Sequence, residues 1–186
     1  LLIKLISLED FGYYTLAASV AGALGFLVAP IATAVLPHLT ELVAKSEQKL
    51  IIANYHRASQ WLAVILIPTA LVVAAFAEPL LYVWTGNISL AQQVAPLLAL
   101  LALGTLCNGF MHIPYMTQLA HGWTGFAVRV NIVAVGIIIP AILWAVPRFG
   151  AIGAAWVWLA LNAGYVLVGI HFMHRKLLPD EKWRWY

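Results

Sequence analysis

Thr105, Asn108, His112, Tyr115, Gln118, His121, Arg129 and Asn131 are gathered around Pro114 in a chain built mostly of Leu, Ala, Val and Ile. These are hydrogen-bonding side chains with one permanent cation. Thr105, Asn108, His112 and Tyr115 follow one another at spacings of three, four and three. On a helix turning 100° per residue they share an arc of about 80°. A stripe that narrow faces one thing. Polar groups are costly in hydrocarbon, so in a membrane protein such a stripe faces other helices or a watery cavity. His112 reads as a proton-carrying member of such a stripe or simply as a satisfied polar residue. Arg129 reads either as a cavity cation or as a side chain that snorkels to the interface.

Chemistry that is missing narrows the answer. No His, Cys and Glu set stands at metal spacing, no Gly-rich phosphate loop carries a Lys, and no nucleophile elbow occurs. No cofactor is expected. The acids, Glu9, Asp10, Glu41, Glu47, Glu78, Asp180 and Glu181, fall mostly in expected loops. An enzyme working through paired carboxylates is therefore poorly supported. Cys107 is the single cysteine, which excludes a disulfide within the chain.

The elements that position the stripe follow from composition. The 186 residues are 63% hydrophobic and 9% charged, against about 25% charged in a soluble domain. This is an all-α integral membrane chain, a single membrane domain over 1–186. Its net charge of +3 does not argue for nucleic acid as a partner. Lead-in residues 1–10 end in Ser7-Leu-Glu-Asp10, the pattern of a capped helix start. Five apolar stretches read as spans, over about 11–36, 58–83, 91–119, 125–146 and 151–172. Pro37 marks the end of the first. Residues 38–57 alternate charged and apolar positions and read as an amphipathic helix at the surface. Thr85 to Ser89 and Pro147 to Gly150 read as turns, and 174–186 as a polar tail. Pro30, Pro68, Pro114 and Pro140 are hinge candidates or static kinks. The Trp residues read as interface anchors, with Trp123 set apart by its place beside the polar stripe.

Five spans put the two ends of the chain on opposite sides. The loop carrying Lys45, Lys49 and Arg57 shares a side with the tail, which carries Arg175, Lys176, Lys182 and Arg184. The positive-inside rule then places that loop and the C-terminus in the cytoplasm.

The runs SLEDFGYYTLAASVAG, PIATAVLPHLTEL, IPTALVVAAFAEPLLYVWTG, MTQLAHGWTGFAVRVN and PRFGAIGAAWVWLALN, in that order, resemble the C-terminal lobe of polysaccharide flippases of the MOP superfamily. The resemblance implies about five helices of a MATE-like two-lobe transporter whose N-terminal lobe is missing from this chain. It implies alternating access that carries an undecaprenyl-pyrophosphate-linked oligosaccharide across the bacterial inner membrane for O-antigen or other surface polysaccharide synthesis. It implies no catalytic residue. A head group of sugars and phosphates cannot cross about 30 Å of hydrocarbon unassisted. A cavity that carries one needs hydrogen-bonding residues and cations between helices that rock. Arg129, Asn108, His112, Tyr115, Gln118, Asn131 and Asn162 are the substrate-cavity candidates. Gln118, Asn131 and Asn162 read as links between helices before they read as ligand contacts. The expected partners are the lipid-linked glycan, membrane lipid and the missing lobe, with coupling to H+ or Na+ left open. A drug exporter or lipid II flippase, a membrane-embedded glycan polymerase or glycosyltransferase, and a purely structural membrane subunit are the alternatives.

Overall fold

The structure, a computed structural model, describes residues 2–186. Leu1 of the 1–10 lead-in lies outside the described residues. Helices follow one another without a strand among the described residues: α1 (Leu8–Gly22), α2 (Gly25–Ala44), α3 (Gln48–Ala75), α4 (Ala77–Thr85), α5 (Ile88–Phe110), α6 (His112–Ala120), α7 (Thr124–Gly164), α8 (Ile170–Leu177) and α9 (Lys182–Trp185). A π-helical segment, Tyr165–Gly169, joins α7 to α8. Among the described residues, four helical runs are long and apolar enough to cross a membrane: Gly25–Ala44, Gln48–Ala75, Ile88–Ala120 and Thr124–Leu177.

Local signals set most helix ends. Ser7 caps α1, its hydroxyl oxygen accepting from the Asp10 amide at 3.0 Å. Asn87 caps α5 in the same way, accepting from the Leu90 amide at 3.1 Å. Gly86 closes α4 with φ of 68°, a left-handed conformation that glycine adopts freely.

Several helix limits differ from those expected. The 11–36 stretch is divided between α1 and α2. The Ala23 amide is shared between the Ser19 and Val20 carbonyls, and the next ones reach back three residues, Leu24 to Ala21, Phe26 to Ala23 and Leu27 to Leu24. The break lies between Gly22 and Gly25, where small residues cost least to bend, while Pro30 stays inside α2. Pro37 does not end the helix either, because α2 runs on to Ala44. The buried side chains of Leu39 and Leu42 hold those last turns in place, and packing overrides one lost hydrogen bond. No separate surface helix therefore spans 38–57. Those residues finish α2, turn at Ser46 with φ of 55°, and begin α3. The 58–83 stretch is cut at Phe76 and the 91–119 stretch at Met111. Pro68 and Pro140 sit inside α3 and α7. Pro96 and Pro147, not among the expected hinges, are also inside helices.

The 125–146 and 151–172 stretches both belong to the run Thr124–Leu177. Gly150, at φ 59° and ψ −145°, interrupts α7, in a region of backbone space essentially reserved for glycine. The two arms fold back on each other there. The Tyr165 hydroxyl donates to Asn131 Oδ1 at 3.4 Å, although 34 residues separate them. A straight helix would hold those positions about 51 Å apart.

α5 lies at the centre. It packs against α1, α3, α4 and α7, and Ala91, Val94, Leu97, Leu98, Leu101 and Ala102 are buried along one broad face, an arc of about 140°. A broad apolar face of this kind is what a helix presents to several packed neighbours. α6 packs against α2. The first arm of α7, by contrast, leaves Val128, Ile132, Val133, Val135 and Ile137 exposed, a surface suited to lipid. Residues 174–186 do not trail away. The Tyr55 hydroxyl and His174 Nε2 meet at 3.1 Å, His56 Nε2 and Glu181 Oε2 at 2.6 Å, and Trp185 Nε1 donates to Ser59 Oγ at 3.1 Å. These bonds bind the end of the chain to α3.

Candidate functional site

Asn108, at the end of α5, begins the site. Its amide Nδ2 donates to Asn162 Oδ1 at 2.8 Å, and Asn162 Nδ2 donates to the Trp158 carbonyl at 2.8 Å. Asn162 is fully buried. This pair pins the second arm of α7 to the end of α5, just before the helix breaks at Met111. The break follows from Pro114, whose ring nitrogen offers the Phe110 carbonyl no partner. The Met111 amide instead reaches back to Asn108 O, and His112 Nδ1 lies 3.2 Å from the same carbonyl.

Beyond the pin the helices open around a cavity of about 260 Å³. Asn108, His112, Tyr115 and Gln118 line one wall, with Asn131 and Tyr165 on the other. Asn131 comes from the first arm of α7, and Tyr165 opens the π-helical segment that follows the second. Gly169, at the end of that segment, also lines the cavity. A Cβ there would stand 3.3 Å from Met111 Cε, so a small residue keeps the helices close. No carboxylate lines this cavity.

Gln118 carries the most informative side chain. It is 3% exposed, and its Oε1 has no hydrogen-bond partner among the described residues. A buried polar atom without a partner costs about 1–3 kcal/mol, and such a group in a cavity wall is one that a ligand or water can satisfy.

A second hollow of about 630 Å³ lies between the arms of α7. Its walls are almost wholly apolar, with Val133, Ile137 and Leu161 among them. Phe126, Val130, Tyr165 and Gly169 line both this groove and the polar cavity. The two spaces therefore share a wall, one side hydrogen-bonding and the other hydrocarbon.

Six of the expected residues converge: Asn108, His112, Tyr115, Gln118 and Asn131 on the cavity, with Asn162 directly behind Asn108. Arg129 is not in the polar cavity. It is exposed and borders the apolar groove. Thr105 lines neither space. Trp123, set apart by its place beside the stripe, has its ring engaged within the chain: Phe126 stacks on it at 4.5 Å and Lys176 Nζ sits 4.1 Å from its ring centre. Tyr165 and the π-helical segment were not expected. Tyr165 lies thirty-four residues from Asn131, and only the reversal at Gly150 brings them together.

Residues 1–90 match a family model described as polysaccharide biosynthesis protein. The matched part covers α1 to α4 and the first turn of α5, and stops short of every cavity residue. No curated protein and no solved structure matches the chain. Its first half is thus similar to polysaccharide biosynthesis proteins, and its apolar helices make it a multi-pass membrane protein.

Proposed function

We propose that this chain forms one lobe of a transporter that flips an undecaprenyl-pyrophosphate-linked oligosaccharide across the bacterial inner membrane, its C-terminus in the cytoplasm. The shared wall between a polar cavity and an apolar groove carries the reading, because a lipid-linked glycan has the same two halves. Asn108, His112, Tyr115, Gln118, Asn131 and Tyr165 offer amide, imidazole and phenol groups of the kind that bind sugar hydroxyls. The groove offers a wall for the prenyl chain. Arg129 borders that groove, where a cation can meet a phosphate. The match over residues 1–90 supports the polysaccharide setting. No carboxylate lines the cavity, which disfavours both a glycosyltransferase that works through an acidic residue and a drug cation as cargo. Release on the far side requires the lobe to rock, with the breaks at Met111 and at Gly22 to Gly25 as its joints.

The test is surface polysaccharide in cells that depend on the complete protein. Arg129→Ala should lower the polymer about tenfold at unchanged membrane level, the loss of one charge-assisted hydrogen bond of about 1.5–3 kcal/mol. Arg148→Ala, at the opposite end of the hairpin arm, should leave it unchanged. Equal polymer from both variants would remove Arg129 from the substrate path.

A further inference from the structure

A groove of about 470 Å³ lies between α2 and α3, apart from the cavity and the hairpin hollow. The two helices run antiparallel through the turn at 45–47, so residues near the turn share one end of the groove. That end holds His38, Asn54 and Arg57. Trp61 stands one turn further along, with Pro30, Ala34 and Ile65 at the far end. The groove is therefore polar and cationic at the turn and wholly apolar beyond it. Arg57 is exposed and makes no hydrogen bond or ion pair among the described residues. Asn54 gives its amide to the Leu50 carbonyl and keeps its oxygen free. No carboxylate lines the groove. Glu41, one turn from His38, is engaged by Lys45 at 2.5 Å. Trp61, 61% exposed, marks the level at which indoles settle between head groups and hydrocarbon.

We propose that this groove is a binding site for an anionic phospholipid. Arg57 and His38 take the phosphodiester, and an acyl chain lies along Ala34, Pro30 and Ile65. Charge selects the lipid, since a lone guanidinium without a protein acid favours a head group of net negative charge over a zwitterionic one. The apolar half accepts a chain without burying any polar group. The inference rests on membrane residence and stands whether or not the chain carries a glycan.

Native mass spectrometry of the full chain in detergent, titrated with phosphatidylglycerol or phosphatidylcholine of the same acyl chains, tests it. Phosphatidylglycerol should bind more tightly than phosphatidylcholine. Arg57→Ala should weaken phosphatidylglycerol about fivefold, the value of one basic residue near an anionic surface, and weaken phosphatidylcholine less, so that the preference between them shrinks. Ala34→Phe, which fills the apolar half and keeps the cation, should weaken both lipids. Equal affinity for the two lipids, or an Arg148→Ala loss as large as that of Arg57→Ala, overturns the site. Displacement of bound phosphatidylglycerol by a substoichiometric polyprenyl phosphate overturns the choice of phospholipid.

Discussion

The Gly153→Val variant should lose about 2 kcal/mol of stability or more, the upper range for side chains forced into a closed space. A Cβ at this position would stand 2.6 Å from the Ala145 carbonyl oxygen and 2.9 Å from its carbon, with Phe149 Cβ at 3.2 Å. The first two are backbone atoms, which cannot turn away as a side-chain tip can. The arms of α7 must spread instead, and Asn131 then leaves Tyr165. Gly136→Val is the matched control, because nothing lies within 4 Å of a Cβ there. Fluorescence-detected size exclusion after a heating series should show Gly153→Val aggregating at a lower temperature than Gly136→Val. Equal profiles would mean that the reversal at Gly150 does not hold the arms as close as described.

Gln118→Met should raise stability by about 1 kcal/mol while cutting polysaccharide export about tenfold. The stability gain follows from removing a buried oxygen without a partner in favour of a thioether of similar shape. The export loss follows if that oxygen is reserved for the substrate, since one neutral hydrogen bond is worth about 0.5–1.5 kcal/mol. Opposite signs separate this variant from those that fail by misfolding. Thermal unfolding of the purified protein gives one number and surface polymer the other. A variant that is less stable would show that Gln118 has an internal partner, and one that exports normally would take it out of the path.

Composition was enough to read an all-α membrane chain, and the spacing of polar residues around Pro114 grouped Asn108, His112 and Tyr115 with Thr105 on one face, without saying whether that face meets a cavity or another helix. Asn108, His112, Tyr115 and Gln118 lie on adjoining helices, and helical periodicity carries through the short break at Met111. The opposite wall was less legible. Asn131 could be named as polar, but its pairing with Tyr165 depends on the chain reversing at Gly150, a long-range fact with no periodic trace. The stretch from Pro147 to Gly150 announced a turn without saying which residues would meet across it. Helix limits failed where packing outweighed local preference. Pro37 is a helix breaker by chemistry, yet buried Leu39 and Leu42 carry α2 past it. The charged and apolar alternation of 38–57 suggested a helix lying on the surface, whereas it arises from two span ends meeting at Ser46. Arg129 illustrates the reverse case: an arginine in an apolar run draws notice, but only its place on α7 shows that it borders the apolar groove rather than the polar cavity.

The central claim is that the polar residues of α5, α6 and α7 face a water-accessible space that the substrate fills. Asn131→Cys and Val135→Cys, each in a Cys107→Ser background, test it most directly by labelling with a membrane-impermeant maleimide. Asn131 lines the cavity, while Val135, one turn along the same arm, is 53% exposed on a surface suited to lipid and lines neither hollow. A thiol reacts through its thiolate, which forms in water and not in hydrocarbon. The account predicts rapid labelling at position 131, slow labelling at 135, and protection of 131 by added lipid-linked oligosaccharide. Equal rates at the two positions, or labelling at 131 that the oligosaccharide leaves untouched, would contradict it.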